Sequence, residues 1–129
     1  MRIACATDDG KKFSNEHFGS ASYYLIYEYK EQEKEFVEID KIMNTSGEER
    51  GHGDAGKAER VMKLMKDANV DALMAEKMGR NIIHIKKGFV PIISRIKNIE
   101  EAMAKIDVER VKKIMDNKEE GEYRTVYVK

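Results

Sequence analysis

The stretch from Ala58 to Ala75 constrains the fold of this chain more than any other. Ala58, Val61, Met62, Met65 and Ala68 recur at helical spacing with Lys and Glu between them, and the run that follows, Val70–Ala75, is compact and apolar. The chain opens on a similar run, Arg2–Thr7, stopped by Asp8-Asp9-Gly10. A strand, a long helix and a further strand in succession require a right-handed crossover and a parallel pair. Helices must then pack on the faces of a sheet.

The intervening segments add an antiparallel part. Ala21–Lys30 is rich in Tyr and in β-branched or aromatic residues, as a sheet favours, and Phe36–Ile42 follows the polar turn Glu31-Gln32-Glu33-Lys34, so the two form a hairpin. Beyond the turn Glu76-Lys77-Met78-Gly79, a short helix Arg80–Lys87 is closed by Gly88, and Phe89–Ser94 is the last core strand. Its Pro91 argues for an edge position, because Pro cannot donate to a ladder. Asn98 with Glu101 starts a helix through Lys105, and Asp107 caps another whose apolar face is Val108, Val111, Ile114 and Met115. Asp54 is placed to cap the long helix. Gly121–Lys129 alternates as a terminal strand, which either covers the Pro91 edge or pairs with a second copy to make a homodimer. The expectation is one α/β domain over 1–129, with a core over 1–116 and 121–129 appended.

At 129 residues the chain is long enough for one proper core. Lys+Arg and Asp+Glu are both 24, and this balance removes the usual argument for a nucleic-acid partner. Cys5 stands alone, so neither an internal disulfide nor a CxxC metal site exists, and a reducing cytoplasm fits best. The start Met1–Thr7 turns polar too soon for a signal peptide, and no apolar run reaches membrane-spanning length.

Chemistry concentrates in two loops. Asp8 to Gly19 is long and polar and carries His17 just before Phe18-Gly19. An imidazole there is a metal ligand or acid–base group, or else a loop histidine that bonds backbone and packs on Phe18. His52, in Gly51-His52-Gly53 ahead of a helix, is the second candidate, its glycines allowing close backbone approach or simply a flexible loop. His84 lies among Ile82, Ile83 and Ile85 and reads as structural. Cys5 in mid-strand reads as an inert small hydrophobe. Met78, in the turn at the carboxyl edge of the sheet, is a soft contact or plain packing. Asp8, Asp9 and Glu76 end neighbouring strands; converging, they would serve a metal-dependent nuclease, whereas Asp-Asp-Gly also reads as a turn. No GxxxxGK[ST], GxGxxG, GxSxG or HExxH is present. A protein-interaction module without a ligand site is the third class of reading.

Met1 to Gly10, then Ser14-Asn15-Glu16-His17-Phe18-Gly19-Ser20-Ala21 and the aromatic run Tyr23-Tyr24-Leu25-Ile26-Tyr27, resembles the opening of the dinitrogenase iron–molybdenum cofactor biosynthesis family. The loop around His52, the strand Val70–Ala75 and Met78-Gly79-Arg80 extend the resemblance over residues 1–105. Departures are Glu76-Lys77 where that family has two glycines, a histidine loop reduced to His52, and the added C-terminal strand. The resemblance implies a ribonuclease-H-like mixed sheet, order 3-2-1-4-5 with strand 2 antiparallel, helices on both faces and no enzymatic activity. It further implies a non-catalytic binding or carrier protein for an iron–sulfur or iron–molybdenum-type cluster or its precursor, working with cluster donor and acceptor proteins. Carried onto this chain, His17 and His52 become the metal ligands, and Met78, Gly79 and Arg80 contacts at the same edge. Lys11, Lys12, Lys77 and Arg80 would attract an anionic cluster.

Overall fold

In the computed structural model, residues 1–47 and 55–129 are described. Six strands, β1 (Arg2–Thr7), β2 (Tyr23–Lys30), β3 (Glu35–Met43), β4 (Ala72–Ala75), β5 (Val90–Ser94) and β6 (Val126–Val128), form one sheet in the order β3-β2-β1-β4-β5-β6. β2 lies antiparallel to both of its neighbours, β1 and β3, and β4, β5 and β6 run parallel to β1. This is the expected order 3-2-1-4-5 of a ribonuclease-H-like sheet, with the terminal strand added beside β5.

Alternation along the strands divides the core between the two faces. Ile3 and Cys5 point towards α3 (Ile99–Ala104) and α4 (Val108–Met115), where Phe13, Met74, Ile92, Met103 and Val111 also pack. Ala4 and Ala6 face α1 (Ala55–Asp67) and α2 (Ile82–Gly88), among Phe18, Tyr24, Val61, Met65 and Ile85. The small alanines leave room there for Phe18 and Tyr24, whose rings stack at 4.8 Å.

Both late helices start as the sequence indicates. The Asn98 side chain accepts from Glu101 N, and that of Asp107 from Arg110 N. Asp54 lies outside the described residues. Gly88 is not a left-handed stop but the last residue of α2, and Phe89 leads in extended conformation (φ −142°) straight into β5.

Pro91 corrects the edge reading: it is buried, in a strand flanked by β4 and β6. The missing donor is tolerated for a local reason. Val90 N donates towards β4, to Asp71 O, so position 91 faces the other side, and β6 pairs only from Ile92 onward. The appended strand is also shorter than the alternation of residues 121–129 suggests, since only Val126 and Val128 turn inward to be buried.

Candidate functional site

The long polar loop is fixed to the carboxyl edge of the sheet by its own side chains. Thr7 Oγ1 donates to Lys12 O (2.6 Å) and accepts from Gly10 N (2.9 Å), while Asp9 Oδ1 accepts from Lys11 N and Lys12 N. Asp8 ties the loop's two ends together: Oδ2 takes the Ser14 hydroxyl at 2.7 Å, and Oδ1 takes both N and Oγ of Ser22 at 2.8 Å. Burial works to raise the Asp8 carboxyl, but the Ser14 and Ser22 hydrogen bonds outweigh it and hold the group below the usual range. The amides of Lys12 and Lys11 do the same for Asp9.

After Ser14, whose N–H bonds Ala6 O, the chain crosses the edge and runs alongside the turn after β4. Phe18 N donates to Lys77 O at 2.9 Å, and His17 pairs with Lys77 as a parallel bridge. Phe18 is wholly buried, and the Tyr24 hydroxyl donates to its carbonyl at 2.8 Å. Asn44 Nδ2 reaches from the end of β3 to Gly19 O and Ala21 O. His17 is therefore an exposed side chain on a backbone pinned on both sides, and it makes no side-chain cap bond to the 3-10 turn Phe18–Ser20.

Its ring is seated against Gly79. A Cβ on Gly79 would lie 2.8 Å from both Cγ and Nδ1 of the imidazole, closer than real Cβ contacts come, and Gly79 has φ +69°. Only glycine offers both the space and the left-handed backbone without strain. His17, Lys77 and Gly79 thus form one cradle between the ends of β1 and β4, with exposed Arg80 next in the chain.

Other candidates are placed elsewhere. Met78 is 3% exposed, and its side chain belongs to the α1–α2 core, so its thioether is turned away from the edge and only its backbone borders the cradle. Lys11 and Lys12 sit by the β5–α3 connection: Ile99 N donates to Lys11 O, and Lys12 bridges Asn98. Glu76 is half-buried, and its Oε2 is the one buried side-chain oxygen without a hydrogen-bond partner among the described residues. Cys5 is fully buried with Met103 Sδ at 3.7 Å from its sulfur, and burial pushes the thiol far up. His84 is exposed on the surface between α1 and α2, beside Ala58 and Met62. His52 lies outside the described residues.

The convergence of Asp8, Asp9 and Glu76 needed by a two-metal nuclease is not formed. The first two carboxylates are taken up by their own loop, and among the described residues no three His, Cys, Asp or Glu side chains are grouped to hold a metal. The residues that sequence reading missed are Ser14, Ser22 and Asn44. Each positions the His17 loop through a polar bond whose partner is distant in sequence or masked by ordinary turn composition.

With this geometry in view, the family model described as dinitrogenase iron-molybdenum cofactor matches residues 1–109. The chain belongs to this family. Membership ties it to the biosynthesis or binding of the iron–molybdenum cofactor and to the proteins that handle that cofactor, a family of accessory proteins in general rather than catalysts. No curated protein and no solved structure gives a significant match. Among the described residues no helix is long and apolar enough to cross a membrane.

Proposed function

We propose that this protein is a non-catalytic carrier that holds an iron–sulfur-type cluster, or a precursor of the iron–molybdenum cofactor, as cargo at the His17–Gly79 cradle. The observation that carries the reading is the seat of the imidazole. A ring pressed on a left-handed glycine, with its backbone fixed at Phe18 N and Tyr24 Oη, is held in place before any ligand arrives.

The donor set fits a cluster that brings its own sulfide rather than a bare ion needing a full protein shell. The cradle offers one exposed imidazole, close backbone approach at Gly79 and two exposed cations, Lys77 and Arg80. With Cys5 and the Met78 thioether both buried, the residues act by a single soft-to-borderline nitrogen ligand and by attraction of negative charge. His52, outside the described residues, is the second imidazole that the family resemblance assigns to the ligand set. Exchange to an acceptor protein is then straightforward, because few bonds must break.

Anaerobic reconstitution with a cluster donor tests this. Wild-type protein should gain cluster absorbance, His17→Ala should bind at least ~10-fold more weakly, and added salt should weaken wild-type binding through Lys77 and Arg80. Absence of cluster absorbance, or equal binding by His17→Ala, would overturn the proposal.

A further inference from the structure

The other end of the sheet presents a long exposed edge. β3 is an edge strand of nine residues, paired among the described residues only with β2, and it exposes Val37 (39%), Ile39 (40%) and Met43 (55%). An exposed strand edge is a template for pairing with another strand. Charged residues along it normally discourage that, so the position of each charge decides what the edge can pair with.

A β-bulge decides the pattern. Ile26 pairs with Asp40 and Tyr27 with Glu38, which leaves Ile39 unpaired. Phe36 and Glu38, opposite Tyr29 and Tyr27, lie on the α3–α4 side, as do Lys41 and Met43, opposite Leu25 and Tyr23. Packing agrees: Phe36 borders the α3–α4 core, Lys41 Nζ lies 4.2 Å from the Tyr23 ring centre, and Ile42 borders the other core. Without the bulge, residues an odd number apart would alternate faces. With it, Phe36 and Met43 share one face, as do Glu38 and Lys41, while Val37 and Ile42 share the other.

We propose that β3 pairs antiparallel with β3 of a second copy of this chain, Glu38 opposite Lys41, Phe36 opposite Met43 and Val37 opposite Ile42. About a two-fold axis each pair occurs twice, so the register makes two opposite-charge pairs and four apolar pairs on matching faces, with the bulge residue Ile39 opposite Asp40 at the centre. Sliding by one residue sets side chains of opposite faces against each other, and sliding by two the other way puts Val37 opposite Asp40 and Phe36 opposite Lys41. The backbone is available: Lys41 N–H lies outside the β2–β3 ladder, bonded at 2.8 Å to the Asp40 carboxylate, which pairing would replace with a carbonyl of the second copy. On the same face a groove of about 550 Å³, lined by Phe36, Glu38, Glu100 and Met103, is placed to receive Lys41 and Met43 of that copy. The result is a continuous sheet of twelve strands, twice the six of one chain, with a His17 cradle in each half.

Light scattering on the full chain across micromolar to about millimolar concentration tests this, using exposed positions that leave the fold intact. Wild-type should dimerise with rising concentration. Glu38→Lys and Lys41→Glu should each weaken dimerisation at least ~10-fold by setting like charges opposite, and the double swap E38K/K41E should restore it to within ~3-fold. A wild-type chain that stays monomeric, a double swap that does not recover, or a dimer indifferent to both single changes but lost with residues 121–129, would overturn the proposal.

Discussion

The His17 imidazole lies on Gly79 so closely that a single added methyl would be 2.8 Å from two ring atoms. One residue comes from the loop after β1 and the other from the turn after β4, so this contact joins the two strand ends where the cradle forms.

Gly79→Ala therefore meets two penalties. The backbone at φ +69° costs a non-glycine residue about 1–2 kcal/mol, and the methyl displaces the ring. Denaturant unfolding should show a loss of about 1–3 kcal/mol. In a His17→Ala background the ring penalty vanishes while the backbone penalty stays, so the same change should cost at least ~0.5 kcal/mol less. Equal costs in both backgrounds would show that the ring does not rest there.

Asp8 gives a pH signature. Its folded-state carboxyl sits below the ordinary value because the Ser14 and Ser22 hydrogen bonds favour the charged form. A depressed folded pKa stabilises above the unfolded value, about 3.9, and the stabilisation is lost as pH falls through the lower folded value. The difference in urea midpoint between wild-type and Asp8→Asn should be constant above about pH 5 and shrink below about pH 4. A difference that grows on acidification would contradict the assignment.

How much of this was legible in the sequence follows from range. Asn98 and Asp107 cap their helices through bonds spanning three residues, so local pattern sufficed. That strands joined through a helix run parallel followed from the crossover rule, which needs only the succession of elements, whereas the order 3-2-1-4-5 came from the family resemblance. Pro91 misled because its consequence depends on which side of β5 its nitrogen faces and where β6 starts. Glycine at 79 was visible; that it accommodates the ring of His17 was not, because a contact between positions 17 and 79 leaves no periodic trace. The thioether of Met78 looked available in a turn, yet the turn folds it into the α1–α2 core.

Tyr24 connects that core to the cradle. Its buried hydroxyl donates to Phe18 O at 2.8 Å, and its ring stacks on Phe18, next to His17. Tyr24→Phe keeps the stacking but removes the donor, at about 1–2 kcal/mol in thermal or denaturant unfolding. The loss should also raise amide exchange at Phe18 and Ser20, whose N–H groups bond Lys77 O and His17 O. Unchanged exchange at both would mean that the hydroxyl does not pin the loop.

Cys5 offers the sharpest separation between this cradle and an ordinary cysteine-held cluster, since cysteine thiolates hold most iron–sulfur centres. The thiol is fully buried on the face opposite Phe18, with its pKa pushed far up by burial first and by Glu38 second. A thiolate is the form that ligates metal and reacts, and the native fold suppresses it. Native protein should therefore react with a thiol reagent at least ~1000-fold more slowly than unfolded chain, at a rate set by unfolding. Cys5→Ala should bind a cluster as wild-type does, at a stability cost of about 1 kcal/mol for the lost sulfur contacts. Rapid native labelling, or loss of cluster binding in a folded Cys5→Ala protein, would move the ligand set from the loop edge into the sheet.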